Sequence, residues 1–238
     1  LKSMLDEENI LYEFVVDASR PTTTKKRYVD TDYNQFLRVD RELARELDSK
    51  CKEYLMELLG NVFDDYRLDA IILQDYDKGL LDKDSIDYII KWAQKENTLL
   101  LSDPKFRHFK QLADSYIFKP NINECLNFMP RQKDHDLSSY LGVVSDALSQ
   151  TENLLITLGK DGIYYKNNKE EGFIQGWHVD NADVSGAGDC VIAVACIFAL
   201  QGKKLEEIAD LCNKAGALSC AKKGIQTINM DEILNFEA

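Results

Sequence analysis

Short apolar runs rich in β-branched residues recur along the chain and alternate with amphipathic segments, and this alternation limits the possible folds more than any other feature. The runs are Ala70-Ile71-Ile72-Leu73, Thr98-Leu99-Leu100-Leu101, Tyr116-Ile117-Phe118 and Asn153-Leu154-Leu155-Ile156-Thr157. Unbroken apolarity over four or five residues suits strands buried on both faces. Between them, residues 85–95 place Ile86, Ile89, Ile90 and Ala93 on one helical stripe, and residues 137–148 read as a second amphipathic helix. The rhythm predicts an α/β fold with a mostly parallel sheet flanked by helices. Residues 162–166 and 172–177, joined by Asn167-Asn168-Lys169-Glu170-Glu171, read as a hairpin on the sheet edge. Two helices, over 186–200 and 205–222, close the chain.

The front of the chain breaks this rhythm. Residues 20–29 are β-prone, break at Asp30-Thr31-Asp32-Tyr33-Asn34, and resume over 35–39. This reads as an exposed hairpin, either an ordinary edge or a lid or dimer surface, because two strands alone are not self-sufficient. A charged helix over 42–59 is expected to return the chain to the sheet. The division is therefore a core of 1–19 plus 41–238 and a hairpin of 20–40.

Charge and composition exclude several classes. In 238 residues, 41 acidic side chains oppose 29 basic ones, and the net charge of −12 repels nucleic acid and anionic membranes. The longest apolar run is about ten residues, near Val191 to Leu200, against the roughly 18 that a membrane span needs. The opening Leu-Lys-Ser-Met-Leu-Asp-Glu-Glu carries acids where a signal peptide would be apolar, so a cytoplasmic location is expected. Six cysteines without a C-x-x-C pair read as buried free thiols, and the three histidines are not spaced for zinc.

The strongest chemical signal is Asn181-Ala182-Asp183-Val184-Ser185-Gly186-Ala187-Gly188-Asp189, followed at once by an apolar helix. Gly186, Ala187 and Gly188 allow close backbone approach, and the N–H groups of Ala187, Gly188 and Asp189 are the unspent donors of a helix start. Such a turn makes an anion hole in which Asp189 could act as a general base. The same residues also suit an ordinary helix cap after a glycine turn, and composition leaves the two readings open.

Asp183-Val184-Ser185-Gly186-Ala187-Gly188-Asp189 resembles the C-terminal signature D-T-x-G-A-G-D of the PfkB/ribokinase family of sugar and nucleoside kinases, with Val184 in place of the usual threonine. Asn121-Ile122-Asn123-Glu124 resembles the family's N-x-x-E motif, and Thr157-Leu158-Gly159-Lys160-Asp161-Gly162 its T-x-G-x-x-G turn. Within the family, Gln74-Asp75-Tyr76-Asp77-Lys78-Gly79-Leu80-Leu81 and Ser102-Asp103-Pro104-Lys105 are similar to segments of the heptose 7-phosphate kinases. Pro21-Thr22-Thr23-Thr24-Lys25 and Leu37-Arg38-Val39-Asp40 resemble that group's lid strands.

The resemblance implies a ribokinase-like, Rossmann-type three-layer fold with a small β-hairpin lid. It implies ATP and Mg²⁺, a phosphorylated sugar substrate, and a homodimer joined through the lid. The reaction implied is transfer of the γ-phosphate to the anomeric hydroxyl of a heptose 7-phosphate, a step toward lipopolysaccharide precursors. By the same resemblance Asp189 is the base, and Gly186, Ala187 and Gly188 are the other catalytic residues of the signature. Asn121 and Glu124 arrange Mg²⁺ through water. Thr157, Gly159 and Gly162 lie near the nucleotide phosphates, and Asn213 lies where adenine contacts usually come from.

Lys78 and Lys105 follow predicted strands, so they are expected at the carboxyl ends where open α/β sheets bind ligands, as phosphate partners or as surface charges. Asp75 and Asp103 also end strands, as sugar or metal-water partners or as caps. Asn121 and Glu124 equally make a capping box. The family's opening G-D strand, its G-G-x-x-N-x-A segment and a nucleotidyltransferase domain do not occur in these residues. The sugar pocket is therefore expected to be incomplete in them. A truncated, non-catalytic relative acting as a nucleotide-binding or interaction protein, or a kinase for another sugar, is the alternative.

Overall fold

The computed structural model describes residues 1–31, 35–180 and 182–236. The expected hairpin turn at Asp32, Tyr33 and Asn34, and Asn181 of the glycine-rich segment, lie outside the described residues. In chain order the elements are α1 (Lys2–Glu7), β1 (Thr24–Val29), β2 (Gln35–Arg41), α2 (Ser49–Asp65), β3 (Ala70–Gln74), α3 (Lys83–Glu96), β4 (Leu99–Asp103) and α4 (Phe109–Leu112). There follow β5 (Ile117–Phe118), α5 (Ile122–Phe128), α6 (Leu137–Ala147), β6 (Asn153–Thr157), β7 (Gly162–Asn167), β8 (Glu171–Gln175), α7 (Ala187–Leu200), α8 (Leu205–Ala221) and α9 (Met230–Leu234).

Strands β3 to β8 form one six-stranded sheet in chain order. The first four are parallel, and β7 and β8 add antiparallel to the edge. Neighbouring residues of the inner strands β4, β5 and β6 enter different cores, which is why those runs are apolar throughout. Leu100, Phe118, Leu154 and Ile156 join Ile86, Ile90, Phe109 and Tyr140 on one face. Leu101, Ile117 and Leu155 join Val191, Ala195, Ile208 and Cys212 on the other. The sheet is thus covered on both sides, and the carboxyl ends of β3, β4, β5 and β6 share one rim. All six cysteines are free thiols. The 167–171 turn closes as expected, with the Asn167 side chain accepting the N–H groups of Lys169 (2.8 Å) and Glu170 (2.9 Å).

The expectation of a helix over 42–59 is corrected. Residues 42–48 are not helical, and α2 runs from Ser49 to Asp65. Tertiary contacts outweigh propensity here: the Leu47 N–H donates to the Gly79 carbonyl (3.1 Å), and Arg20 takes the Arg45 carbonyl (2.9 Å). Asp48 then caps the helix, accepting the Cys51 N–H at 2.8 Å. At its far end Leu59, Val62 and Phe63 carry the apolar stripe into the core. The first hairpin strand is corrected too, since β1 begins at Thr24 rather than residue 20. Arg20 instead pins the chain, donating to Asp17 (2.9 Å) and to the carbonyl of Lys78 (2.7 Å).

β1 and β2 form a separate antiparallel sheet, with Lys26 opposite Val39 and Tyr28 opposite Leu37. Every residue of β1 is exposed. Phe36, Leu37 and Val39 of β2 are 71%, 49% and 48% exposed, so the hairpin has no core of its own.

Candidate active site

The site is built at the carboxyl rim of the sheet. Gln74 pairs in register with Asp103, and the Asp75 N–H donates to the Asp103 carbonyl at 3.0 Å. Asp103 is 4% exposed and meets Lys119, 2% exposed and one residue beyond β5, with Nζ 3.0 Å from Oδ2. Gln74 Nε2 donates to the same oxygen at 3.0 Å. Asp75 is buried as well. Its Oδ1 accepts the Asp77 N–H at 2.7 Å, while its buried Oδ2 has no hydrogen-bond partner among the described residues.

Asn121 and Glu124 form the capping box that starts α5. Asn121 Oδ1 accepts the Glu124 N–H at 3.0 Å, and Glu124 Oε2 accepts the Asn121 N–H at 2.8 Å. The other Glu124 oxygen receives the Lys105 ammonium. Burial pulls the Lys105 pKa down, but the hydrogen bond and charge of Glu124, with Asp103 and Asp75 nearby, outweigh it and hold Lys105 above its ordinary value. Cap and charge partner are therefore the same carboxylate.

Gly186 occupies the N-cap of α7 at φ +80°, a conformation that L side chains resist, and it supplies no capping side chain. Helix geometry leaves the N–H groups of Gly188 and Asp189 without an intrahelical acceptor. The Ala187 N–H differs from the expected three-donor hole, because it turns back to the Val184 carbonyl at 3.4 Å. A Cβ on Gly188 would lie 3.5 Å from Asp103 Oδ2 and 3.7 Å from Lys119 Nζ, so this turn rests on the buried ion pair. Asp183 ties the turn down, accepting the N–H of Ser185 (3.0 Å) and of Gly224 (3.0 Å). Asp189 is exposed, and its Oδ1 accepts the Tyr76 hydroxyl at 3.0 Å.

Thr157 ends β6 beside this cluster, with its N–H on the Pro120 carbonyl (3.0 Å) and a bridge to Asn121. Gly159 (φ +63°) and Gly162 (φ +112°) shape the turn that follows. A Cβ on Gly162 would fall 1.9 Å from the Ile174 carbonyl oxygen, so no other residue fits.

The fold therefore joins Asp75, Asp103, Lys105, Asn121, Glu124, Thr157 and the Gly186 to Asp189 turn through direct contacts or shared strand ends. Lys78 differs, since its ammonium is paired with Glu42 at 2.7 Å beside the hairpin base. Asn213 is buried and donates to the Gln175 carbonyl at 2.8 Å, fastening α8 to β8. Sequence reasoning assigned no role to Lys119 or Tyr76. A lysine directly before Pro120 and after an apolar strand was the available signal for the first, and a tyrosine between two strand-end aspartates for the second.

The pfkB family carbohydrate kinase profile matches residues 1–232, and the chain belongs to that family. Among curated relatives it is similar to the Bifunctional protein HldE of Helicobacter hepaticus, 33% identical over 229 residues that cover 96% of this chain and 47% of that protein. The HldE of Sulfurimonas denitrificans is 30% identical over 241 residues, covering 100% of this chain and 50% of the relative. The chain thus spans about half the length of these relatives. Among solved structures it is similar to phosphofructokinase-2 from Escherichia coli in complex with potassium, with TM-score 0.76 at 17% identity over 98% of this chain and 75% of that one. Ribokinase from Giardia lamblia gives TM-score 0.70 at 19% identity over 94% and 72%. The ribokinase-like fold is thereby established. Among the described residues no helix is long and apolar enough to cross a membrane.

Proposed function

We propose that the protein transfers the γ-phosphate of ATP to the anomeric hydroxyl of a heptose 7-phosphate. The observation that carries this reading is the start of α7, where open Gly188 and Asp189 N–H groups and an exposed Asp189 carboxylate stand over the buried Asp103–Lys119 pair. In-line phosphoryl transfer needs positioning and charge neutralisation more than covalent help. Asp189 takes the proton of the acceptor hydroxyl as that oxygen bonds to the γ-phosphorus and the bond to the ADP oxygen breaks. The N–H groups of Gly188 and Asp189 face the transferring phosphate, with Ala187 and Gly186 shaping the approach. Lys105 keeps Glu124 and offers its remaining N–H donors to a phosphate, and Lys78 can do the same beside Glu42. Asp75, with one buried oxygen unspent, and Asp103 offer acceptors to sugar hydroxyls.

The donor set fits a hydrated divalent cation. Both Glu124 oxygens are engaged, by Lys105 and by the Asn121 N–H, so Glu124 and Asn121 would hold Mg²⁺ through its waters. When bound, Mg²⁺ supplies neutralisation of nucleotide phosphate charge. Thr157, Gly159 and Gly162 line the nucleotide phosphates, and Asn213 borders the adenine. The heptose assignment is supported by the HldE likeness and by the 74–81 and 102–105 segments. The exposed apolar side chains of β2, Phe36, Leu37 and Val39, support a homodimer closed through lid hairpins.

The test is ADP release from ATP, Mg²⁺ and heptose 7-phosphate by the protein and by Asp189→Asn. The expected result is release that needs all three and falls at least about a hundredfold in the variant while ATP binding persists. An unchanged rate in Asp189→Asn contradicts the base assignment.

A further inference from the structure

We infer that Tyr76 is a positioning residue for Asp189, holding one carboxylate oxygen so that the other faces the acceptor hydroxyl. The inference rests on the kinase reading above. The two residues are 113 positions apart, yet the Tyr76 hydroxyl donates to Asp189 Oδ1 at 3.0 Å. This is the sole hydrogen bond to the Asp189 carboxylate among the described residues, so Oδ2 is left open. An ionised carboxylate can only accept, which makes the phenol the donor. Burial first, then the charge and hydrogen bond of Asp189 and the charge of Asp103, push the Tyr76 pKa up to about 12, so the phenol keeps its proton.

The backbone that delivers Tyr76 is fixed on both sides. Before it, Asp75 is buried and accepts the Asp77 N–H at 2.7 Å, closing a turn around Tyr76. After it, Asp77 stands at φ +51°, paired with Arg107 at 2.8 Å. Gly79, at φ +80°, packs so closely on Arg45 that a Cβ would lie 1.9 Å from its carbonyl oxygen. A turn held this firmly orients a partner. Tyr76 is 53% exposed, so the hydroxyl rather than packing carries the role.

Tyr76→Phe and Tyr76→Ala, measured beside Asp189→Asn in the ADP-release assay, test this. The expected result is that both Tyr76 variants lose roughly ten- to a hundredfold in kcat. Their KM values for ATP and heptose 7-phosphate should stay within about twofold, and their melting temperatures should be unchanged. A Phe variant with wild-type kcat, whether or not Ala is impaired, overturns the inference, as does a loss confined to KM. Full activity in Asp189→Asn overturns the base assignment and Tyr76's role with it, while no sugar-dependent ADP release by the wild type overturns the kinase reading on which both rest. A dead Asp189→Asn beside an active Tyr76→Phe overturns the Tyr76 role alone.

Discussion

The carboxyl rim of the sheet and the β1–β2 hairpin are both made of short strands, but they are held in opposite ways. At the rim, Asp103 and Lys119 are 4% and 2% exposed and fix each other inside the fold. On the hairpin, Phe36 is 71% exposed and every β1 residue faces solvent. The buried charges of the rim are paired within the chain, whereas the hairpin presents apolar side chains to solvent. The candidate site therefore stands on buried, internally paired groups, whereas the hairpin keeps its apolar side chains in solvent.

The largest expected effect that would break this contrast is at the rim. Lys119→Met strands the buried Asp103 charge and should cost about 3–5 kcal/mol in urea unfolding. A loss below about 1 kcal/mol would mean that water or rearrangement serves Asp103 and the rim is not self-contained. On the hairpin, Phe36→Ser should leave unfolding stability within about 0.5 kcal/mol but shift the mass in light scattering from dimer to monomer. A strongly destabilised variant would show that the hairpin is part of the core after all.

The smallest effect concerns pH. Lys105 is held above its ordinary value of 10.5 when folded, so its contribution is present below about pH 10 and lost as pH rises through the folded value. Lys105→Met should flatten the alkaline decline of stability, followed by circular dichroism, and an unaltered decline would detach Lys105 from Glu124.

The same contrast explains what could be read in advance. The β6 run Asn153–Thr157 matched its strand because Leu154, Leu155 and Ile156 enter the two cores alternately, a constraint written into composition. The Gly186 turn was legible because φ +80° demands glycine. Residues 42–48 were not, since their helical propensity yields to hydrogen bonds from Arg20 and to Gly79 that no local pattern announces. Lys119 and Tyr76 were illegible for a related reason. Their roles depend on the rim bringing Asp103 and Asp189 to them, and the apolar strand before Lys119 or the aspartates flanking Tyr76 mark a strand end without naming the partner. Lys78 was expected as a phosphate partner or a surface charge from its strand-end position and the 74–81 resemblance, and the nearby Glu42 that takes its charge lies on the segment read as helix.

The most direct test of the central claim is the phosphorus NMR spectrum of the product formed from ATP, Mg²⁺ and heptose 7-phosphate by the protein. The expected product is a bisphosphate whose new resonance is coupled to the anomeric proton while the 7-phosphate signal remains. Free inorganic phosphate, a phosphate on another carbon, or unchanged starting materials would contradict it.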